Sequence, residues 1–319
     1  MKKALILGID GQVGSYLAEL LLAKEYQVIG WVPATVPVNY ANIRRILEKI
    51  TLVEGDLGDQ SSLIGVLADH RPEEIYNLAA PSFPASSWDE TVLVGDIAGL
   101  GVARLLDAMR LVLPESRLYQ ASTSEMYGEP VEEPQNENTP FRPRNPYGIA
   151  KLYAHWTIVR YREHFGTFAV SGIMFNTESP RRGVHFVTRK ITRSAARIKL
   201  GLLKDLHLGS LDACRDWGFA GDYVEAMWLM LQGDSPSDYV IGSGQVHSVR
   251  EFCQLAFEYV DLHYGDYIVQ DPRFVRPPET VQLVADPRKV NQELGWQLRV
   301  SFPELVRLMV ASELESLNG

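Results

Sequence analysis

A tyrosine and a lysine in this chain have a spacing that suits proton transfer. Tyr147 and Lys151 are four residues apart, so on a helix their side chains project from the same face. A lysine ammonium beside a phenol lowers the phenol pKa, and the resulting tyrosinate can take a proton from a sugar or alcohol hydroxyl. Such pairs also arise by chance on amphipathic helices, so the pair gains meaning only if the chain also has a cofactor site. With that condition, we predict that Tyr147 is a base and that Lys151 assists it.

A second reactive segment, residues 121–125, directly follows an apolar run at residues 118–120 that has the composition of a strand. Side chains at the carboxyl end of a parallel strand face the crevice in which ligands of such sheets bind. There the Thr123 hydroxyl can hold a substrate oxygen, and the Glu125 carboxylate can remove or return a proton. Threonine after a strand often only caps a turn, and glutamate is usually a surface charge. Their place between a glycine-rich turn and Tyr147 favours the catalytic interpretation.

The glycine-rich turn near the N-terminus has the pattern of a dinucleotide-binding site. Gly8, Gly11 and Gly14 lie between an apolar strand, residues 4–7, and an apolar helix, residues 15–23. In this pattern the first glycine allows a tight turn, the second lets the backbone approach a pyrophosphate, and the third lets helix and strand pack closely. The N–H groups at the start of the helix can bind the phosphates. This context, a glycine turn between strand and helix, indicates a dinucleotide site.

The elements that position these residues alternate between strand and helix. Further strands are predicted at residues 26–32, 50–53, 75–78 and 118–120. This alternation predicts right-handed crossovers and a Rossmann-type doubly wound parallel sheet in an α/β protein. We expect a dinucleotide-binding domain at residues 1–170, to which a segment at about 212–244 returns, and a smaller mixed α/β substrate-binding region at 171–319. Asp56, with Leu57 after the third strand, can accept a hydrogen bond from an adenine amino group by analogy with this fold.

The composition excludes several functional classes. The chain has 319 residues, of which 46% are hydrophobic and 22% are charged, as in soluble globular proteins. Its net charge of -9 disfavours nucleic acids and anionic membranes as partners. No apolar stretch reaches the roughly 18 residues of a membrane helix, and we expect a cytoplasmic protein. Cys214, Cys253 and the histidines lack metal-ligand spacing, so no metal site is expected.

Taken together, these segments resemble the extended short-chain dehydrogenase/reductase family. The segments that carry this resemblance are residues 8–14, 77–80, 120–125 and 147–151. Later segments resemble the GDP-mannose 4,6-dehydratase family in particular, and these are residues 175–183, 186–190, 215–228 and 274–279. The segment 215–228 is the most specific of them. The resemblance covers nearly the whole chain.

The resemblance implies a sugar-nucleotide 4,6-dehydratase that acts on GDP-mannose or a close relative. In such a reaction hydride moves internally from C4 to C6 with loss of water. Tyr147, assisted by Thr123, would take the proton of the C4 hydroxyl, and Glu125 would remove the C5 proton. The implied cofactor is tightly bound NADP, with NAD as the alternative. The implied cofactor residues are Gly8, Gly11, Gln12, Val13, Gly14, Asp56, Leu57, Leu78, Ala79, Ala80, Lys151, Thr177 and Arg182, and the implied substrate residues are Ser82, Asn176, Lys190, Arg215, Arg276 and Glu279.

The chain departs from the family pattern around the cofactor. Val13 stands where the family has Asp, residues 32–35 replace an Arg-rich loop, Pro81 replaces Gln and Thr177 replaces His. An NAD enzyme of this fold commonly has an acid near the end of the second strand, but residues 30–47 contain none. Arg44 and Arg45 follow later and can reach a 2′-phosphate.

The same loop bears on assembly. In the family the Arg-rich loop contributes to contacts between dimers, and here an uncharged segment replaces it. We therefore predict a homodimer, closed by two-fold symmetry through helices of the dinucleotide domain, one of which begins near Tyr147.

Two other functions stay open from the sequence. A 4-epimerase or 4-keto reductase of the same fold needs Thr123, Tyr147 and Lys151 but has no need of a carboxylate at position 125. A non-enzymatic dinucleotide-binding regulator is supported only by the altered cofactor loop, and the intact Tyr147 and Lys151 argue against it.

Overall fold

The chain is described here from a computed structural model, which covers residues 1–34, 37–81, 84, 86–274 and 281–318. Within these residues it forms strands β1 (Lys3–Leu7), β2 (Gln27–Pro33), β3 (Thr51–Gly55), β4 (Glu74–Asn77), β5 (Arg117–Thr123), β6 (Ala169–Met174), β7 (Asn176–Glu178), β8 (Leu206–Leu208), β9 (Cys214–Arg215), β10 (Trp217–Phe219), β11 (Tyr239–Ile241), β12 (His247–Ser248) and β13 (Ile268–Gln270).

The helices in the same residues are α1 (Gln12–Ala23), α2 (Tyr40–Ile43), α3 (Gln60–His70), α4 (Thr91–Val94), α5 (Gly101–Val112), α6 (Pro146–Phe165), α7 (Val187–Lys199), α8 (Ala220–Met230), α9 (Val249–Glu258), α10 (Arg288–Leu294) and α11 (Phe302–Asn318). A π-helical segment, Gly95–Leu100, joins α4 to α5, and a 3-10 turn, Ser124–Met126, follows β5.

Seven strands form one parallel sheet in the order β11-β6-β5-β4-β1-β2-β3. Leu7 of β1 lies opposite Trp31 of β2 on one side and Asn77 of β4 on the other. Strand order therefore runs outward in both directions from the β1–β4 pair. In doubly wound sheets a crevice opens beyond the carboxyl ends of the strands at such a reversal, and ligands bind there. The predicted Rossmann-type sheet is confirmed.

The strands are apolar on both faces because both faces of the sheet are covered. Ala4 and Ile6 of β1 pack into a core that includes Leu17 of α1, whereas Leu5 and Leu7 pack into a core on the opposite face. Alternate residues of a strand point to opposite faces, so a continuous apolar run is what a buried parallel strand requires.

A second region holds three two-stranded sheets, β7 with β10, β9 with β12 and β8 with β13. One of the three pairs, β9 with β12, is antiparallel, so the region is mixed, as predicted. Helices α7, α9 and α11 enclose its core, to which Ile191, Phe252, Phe257 and Met309 contribute fully buried side chains.

The chain returns to the central sheet through α8 and β11. Tyr223 and Met227 of α8 share a core with Leu17 and Leu21 of α1, and β11 pairs with β6. The division into a dinucleotide-binding domain and a substrate-binding region stays a prediction.

Strand β5 continues beyond the predicted residues 118–120. Ala121 pairs with Gly172 of β6 and Thr123 pairs with Met174, so the segment predicted to follow the strand is partly inside it. Thr123 is the last residue of β5, and Glu125 lies in the turn after it. Among the described helices, none is long and apolar enough to span a bilayer.

Candidate active site

A cavity of about 790 Å³ lies at the carboxyl ends of β1 and β4. It is bounded by the glycine turn, by the ends of β2 and β3, by the segment after β4, by the end of β5 and by α6. Most of the predicted site residues line it, namely Gly8, Gly11, Gln12, Val13, Gly14, Asp56, Leu57, Leu78, Ala79, Ala80, Thr123, Glu125, Tyr147, Lys151, Asn176, Thr177 and Arg182.

The glycine turn has the geometry that a dinucleotide needs. Gly8 has φ of +80°, a conformation that side chains disfavour, and a Cβ at Gly14 would lie 2.2 Å from the carbonyl oxygen of Gly8. Helix α1 begins directly after Gly11 and has no acidic residue in its first turn. The N–H groups of that turn have no acceptor within the helix, so they can bind the phosphates of a dinucleotide.

The Gln12 side chain ties the glycine turn to the region after β6. Its Nε2 donates to the carbonyl oxygen of Thr177 at 2.9 Å, and its Oε1 accepts from the Ser179 hydroxyl at 2.8 Å. Thr177 is buried, and its hydroxyl donates to the carbonyl oxygen of Phe175 at 3.2 Å. Gln12 therefore joins two walls of the cavity.

Two carboxylates lie where the cavity meets β2 and β3. Asp56 is exposed, and its Oδ1 accepts a hydrogen bond from Gly58 N–H at 2.7 Å, while Leu57 is buried. Asp10, which was not singled out from the sequence, also lines the cavity. Its Oδ2 accepts from Asn39 N–H at 2.9 Å, so an acid of the glycine turn contacts the segment after β2.

The four predicted catalytic residues meet at one wall of the cavity. Thr123 ends β5, and its Oγ1 accepts a hydrogen bond from Glu125 N–H at 3.2 Å. Tyr147 and Lys151 lie on α6, and all four side chains line the same cavity. The helix begins at Pro146, in agreement with the prediction that Tyr147 and Lys151 share a helical face.

Burial dominates the protonation of Tyr147 and Lys151. It lowers the pKa of Lys151 to about 8. It raises the pKa of Tyr147, and the negative charge of Glu125 raises it further, while Arg182 and the Thr123 hydroxyl lower it in part. The Lys151 ammonium lies 5.7 Å from the centre of the Tyr147 ring and donates to the carbonyl oxygen of Ala121 at 2.9 Å. In this structure, desolvation of the phenolate therefore outweighs the positive charge of Arg182. The lower phenol pKa that a base at Tyr147 needs when cofactor and substrate are bound stays a prediction.

Arg182 supplies positive charge to the cavity. Its guanidinium lies 3.5 Å from the centre of the Phe186 ring, and its Nε is 3.3 Å from Oε2 of the buried Glu178. This ion pair and ring contact hold Arg182 in the wall of the cavity.

The sequence matches the family model described as GDP-mannose 4,6 dehydratase over residues 5–309. The chain belongs to the GDP-mannose 4,6-dehydratase family. It is 47% identical to the GDP-mannose 4,6 dehydratase of Homo sapiens, over 99% of this chain and 92% of that protein. It is 45% identical to the enzyme of Vibrio cholerae, over 98% and 94%. A Thermus thermophilus UDP-glucose 4-epimerase solved with NAD is 26% identical, covers 98% of each chain and has a TM-score of 0.85.

Two residues implied by the resemblance to this dehydratase family, Lys190 and Arg215, are not among the described residues that line the cavity. Lys190 donates to the carbonyl oxygen of His207 at 2.6 Å, and Arg215 donates to that of Cys214 at 2.6 Å. Ser82, Arg276 and Glu279 lie outside the described residues. The substrate roles of all five stay predictions.

Asn145 is a site residue that was not predicted from the sequence. Its Oδ1 accepts from Gly148 N–H at 2.8 Å, which caps α6, and its Nδ2 donates to Oε2 of Glu125 at 2.7 Å. An Asn-Pro pair at the start of a helix is a recognisable capping signal. The sequence could therefore have revealed the cap, but not the contact with Glu125.

Proposed function

We propose that this protein is a hydro-lyase that converts GDP-mannose, or a close relative, to the GDP-4-keto-6-deoxy sugar. The observation that carries the proposal is the place of Glu125. Its carboxylate lies at the cavity wall with Thr123 and Tyr147, so a base for C5 stands beside the groups that act at C4. Family membership supports the same reaction.

The cavity fits a nicotinamide dinucleotide, by family expectation NADP and as the alternative NAD. The glycine turn and the first turn of α1 would hold the phosphates, with Asp56 near the adenine and Lys151 and Thr177 further along the cavity. Such a cofactor supplies a hydride acceptor and donor when bound.

The chain's own residues then account for the proton transfers. Tyr147 takes the proton of the C4 hydroxyl as C4 is oxidised, and Thr123 holds the same oxygen. The ketone at C4 acidifies the neighbouring C5 hydrogen, which Glu125 removes. The electron pair of the C5–H bond forms the C5–C6 double bond, and the C6 hydroxyl leaves as water with a proton returned by the protein. Return of the C4 hydride to C6 and addition of a proton at C5 would complete the 4-keto-6-deoxy product with no net change in the cofactor.

The interpretation as a 4-epimerase or 4-keto reductase has less support. Solved epimerases share the fold, but neither of those reactions breaks the C5–H bond. A carboxylate beside Thr123 and Tyr147 has a role in dehydration and none in chemistry at C4 alone. Under the regulator hypothesis, the four predicted catalytic residues that line the cavity would have no function.

Deuterium labelling tests the proposed reaction. With GDP-mannose in deuterated water, the wild-type protein should form a 4-keto-6-deoxy product with one deuteron at C5 and consume no added reduced cofactor. Glu125→Gln keeps Thr123 and Tyr147, so C4 oxidation should continue while elimination falls by about 10²- to 10⁴-fold. A product that keeps its C6 hydroxyl, or a variant that eliminates at the wild-type rate, would favour the epimerase or reductase interpretation.

We also propose that the protein is a homodimer. Ile149, Tyr153 and Trp156 form a stripe along α6 and are 57%, 49% and 47% exposed, and Val92 of α4 is 85% exposed beside α6. Apolar side chains spaced by three or four residues form one helical face, which a two-fold partner can cover. Light scattering should report a dimer that Trp156→Arg dissociates, whereas Leu111→Arg, at an exposed site on α5, should leave it intact. A stable tetramer at micromolar protein would contradict the proposal.

We also propose that the protein is cytoplasmic. Cys253 is a buried free thiol, which agrees with a reducing compartment.

A further inference from the structure

One carboxamide joins the helix of Tyr147 to the carboxylate of Glu125. Asn145 Oδ1 accepts from Gly148 N–H at 2.8 Å, and Asn145 Nδ2 donates to Glu125 Oε2 at 2.7 Å. The oxygen can only accept and the nitrogen can only donate, so a single orientation of the amide makes both bonds. The cap of α6 and the bond to the carboxylate are therefore made together.

The backbone of Glu125 is fixed by the same helical turn. A Cβ at Gly148 would lie 2.6 Å from the carbonyl oxygen of Glu125, so the close approach of the two segments requires glycine. On the other side, Thr123 Oγ1 accepts from Glu125 N–H. The main chain at Glu125 therefore has little freedom relative to α6, and only the carboxylate needs a further constraint.

We propose that Asn145 is a positioning residue for proton removal at C5. Its amide N–H holds Oε2 of Glu125, which leaves Oε1 to take the proton from a substrate whose C4 oxygen is at Tyr147. Asn145 acts through Glu125 and touches none of the reacting atoms. The inference rests on the proposed function, because it assigns Asn145 a part in the dehydration step alone.

Capping and positioning can be separated by substitution. Serine caps helices about as well as asparagine. Its hydroxyl can accept and donate at once, but the serine side chain is shorter than the carboxamide, so a hydroxyl that caps α6 does not reach Oε2 of Glu125. Asn145→Ser should therefore fold with a thermal midpoint close to that of the wild type. Asn145→Ala loses the cap as well, and its thermal midpoint should fall.

The quantity that tests the proposal is the rate of proton removal at C5. In Asn145→Ser, loss of orientation should slow C5 proton removal by about 10- to 100-fold, the effect of misplacing a catalytic group by about 1 Å. With GDP-mannose deuterated at C5, the isotope effect on kcat should rise, because this step then limits turnover. The rate of C4 oxidation, followed by the absorbance of reduced nicotinamide, should stay within about twofold, and so should KM.

A double variant tests whether Asn145 acts through Glu125. If it does, Asn145→Ser adds no loss once Glu125→Gln has removed the base. The matched control is Asp59→Ala, which removes the N-cap of α3, where Asp59 Oδ1 accepts from Ser61 N–H at 2.8 Å. It should lower the thermal midpoint and leave the isotope effect unchanged.

Three results would overturn the inference. The first is an Asn145→Ser variant with wild-type kcat and isotope effect, and the second is an equal loss from Asn145→Ser with and without Glu125→Gln. Either result would leave the proposed function standing if the wild-type protein makes the 4-keto-6-deoxy product. The third is a wild-type protein that makes no such product, which would overturn the proposed function and the role of Asn145 together.

Discussion

Replacing Lys151 by methionine should make the nucleotide-free protein more stable, although Lys151 belongs to the candidate active site. The side chain is 2% exposed, and burial lowers its pKa from 10.5 to about 8. That difference, about 2.5 pH units, corresponds to about 3 kcal/mol at 1.36 kcal/mol per unit. At neutral pH this is the cost of keeping the ammonium charged in the folded protein instead of in the unfolded chain.

One hydrogen bond offsets part of the gain. The ammonium donates to the carbonyl oxygen of Ala121 at 2.9 Å, a bond worth about 1 kcal/mol. The same oxygen also accepts from Gln120 Nε2 at 2.9 Å, so it keeps a partner after the substitution. Methionine is flexible enough to fill much of the vacated space. We therefore expect Lys151→Met to be about 2 kcal/mol more stable than the wild type at pH 7.

The pH dependence gives a sharper test. Below about pH 8, Lys151 is protonated in the folded and unfolded states, and the full cost of burial is present. Between about pH 8 and pH 10.5 the folded protein releases a proton that the unfolded chain keeps, so this residue makes stability rise with pH. The variant lacks that contribution, and its advantage should shrink across this interval.

Urea unfolding at a series of pH values, with nucleotide removed, measures the difference in the free energy of unfolding. Lys49→Met, at an exposed position, is the matched control and should stay within about 0.5 kcal/mol of the wild type. A Lys151→Met protein less stable than the wild type at pH 7, or an advantage that grows as the pH rises, would refute the reasoning.

Two further predictions concern the cavity. Tyr147→Phe should lower kcat by about 10²- to 10⁴-fold. Its ring keeps its packing against Val94 and Ala98, so nucleotide affinity measured by fluorescence titration should stay within about twofold. A variant with more than about a tenth of the wild-type activity would show that another group is the base. Asp10→Asn should tighten NADP binding severalfold relative to NAD in calorimetric titrations, because its carboxylate contacts the segment after β2, where the ribose of a dinucleotide lies, and repels a 2′-phosphate. An unchanged NADP to NAD affinity ratio would place Asp10 away from the ribose.

The central sheet was predictable because its signals are local. The run Leu5, Ile6 and Leu7 is long enough for one strand and apolar enough for a strand covered on both faces. The glycines that follow it favour a tight turn into a helix over a longer strand. The end of β5 was less predictable. Polar residues such as Ser122 and Thr123 look like a loop in the sequence, and only pairing with β6 keeps them in the strand.

The protonation of the site was not predictable from spacing. The Tyr147–Lys151 spacing correctly predicted a shared helical face, but the pKa of each group depends on its burial by other elements. On an exposed helix, a lysine four residues from a tyrosine would have shifted the phenol pKa in the predicted direction. Here desolvation acts against the charged form of both groups, and its extent is set by tertiary packing that no local pattern records.

The start of α6 links the two proton-transfer groups that distinguish dehydration from chemistry at C4 alone. Tyr147 follows Asn145 by two residues on this turn, and Glu125 is held to the turn by its carboxylate and by the close approach of Gly148. A shift of α6 therefore moves the group at C4 and the support of the group at C5 together. Because catalysis by a positioned base depends on its orientation to within about an ångström, attaching Glu125 to the turn of α6 that carries Tyr147 maintains the relative geometry of the two groups.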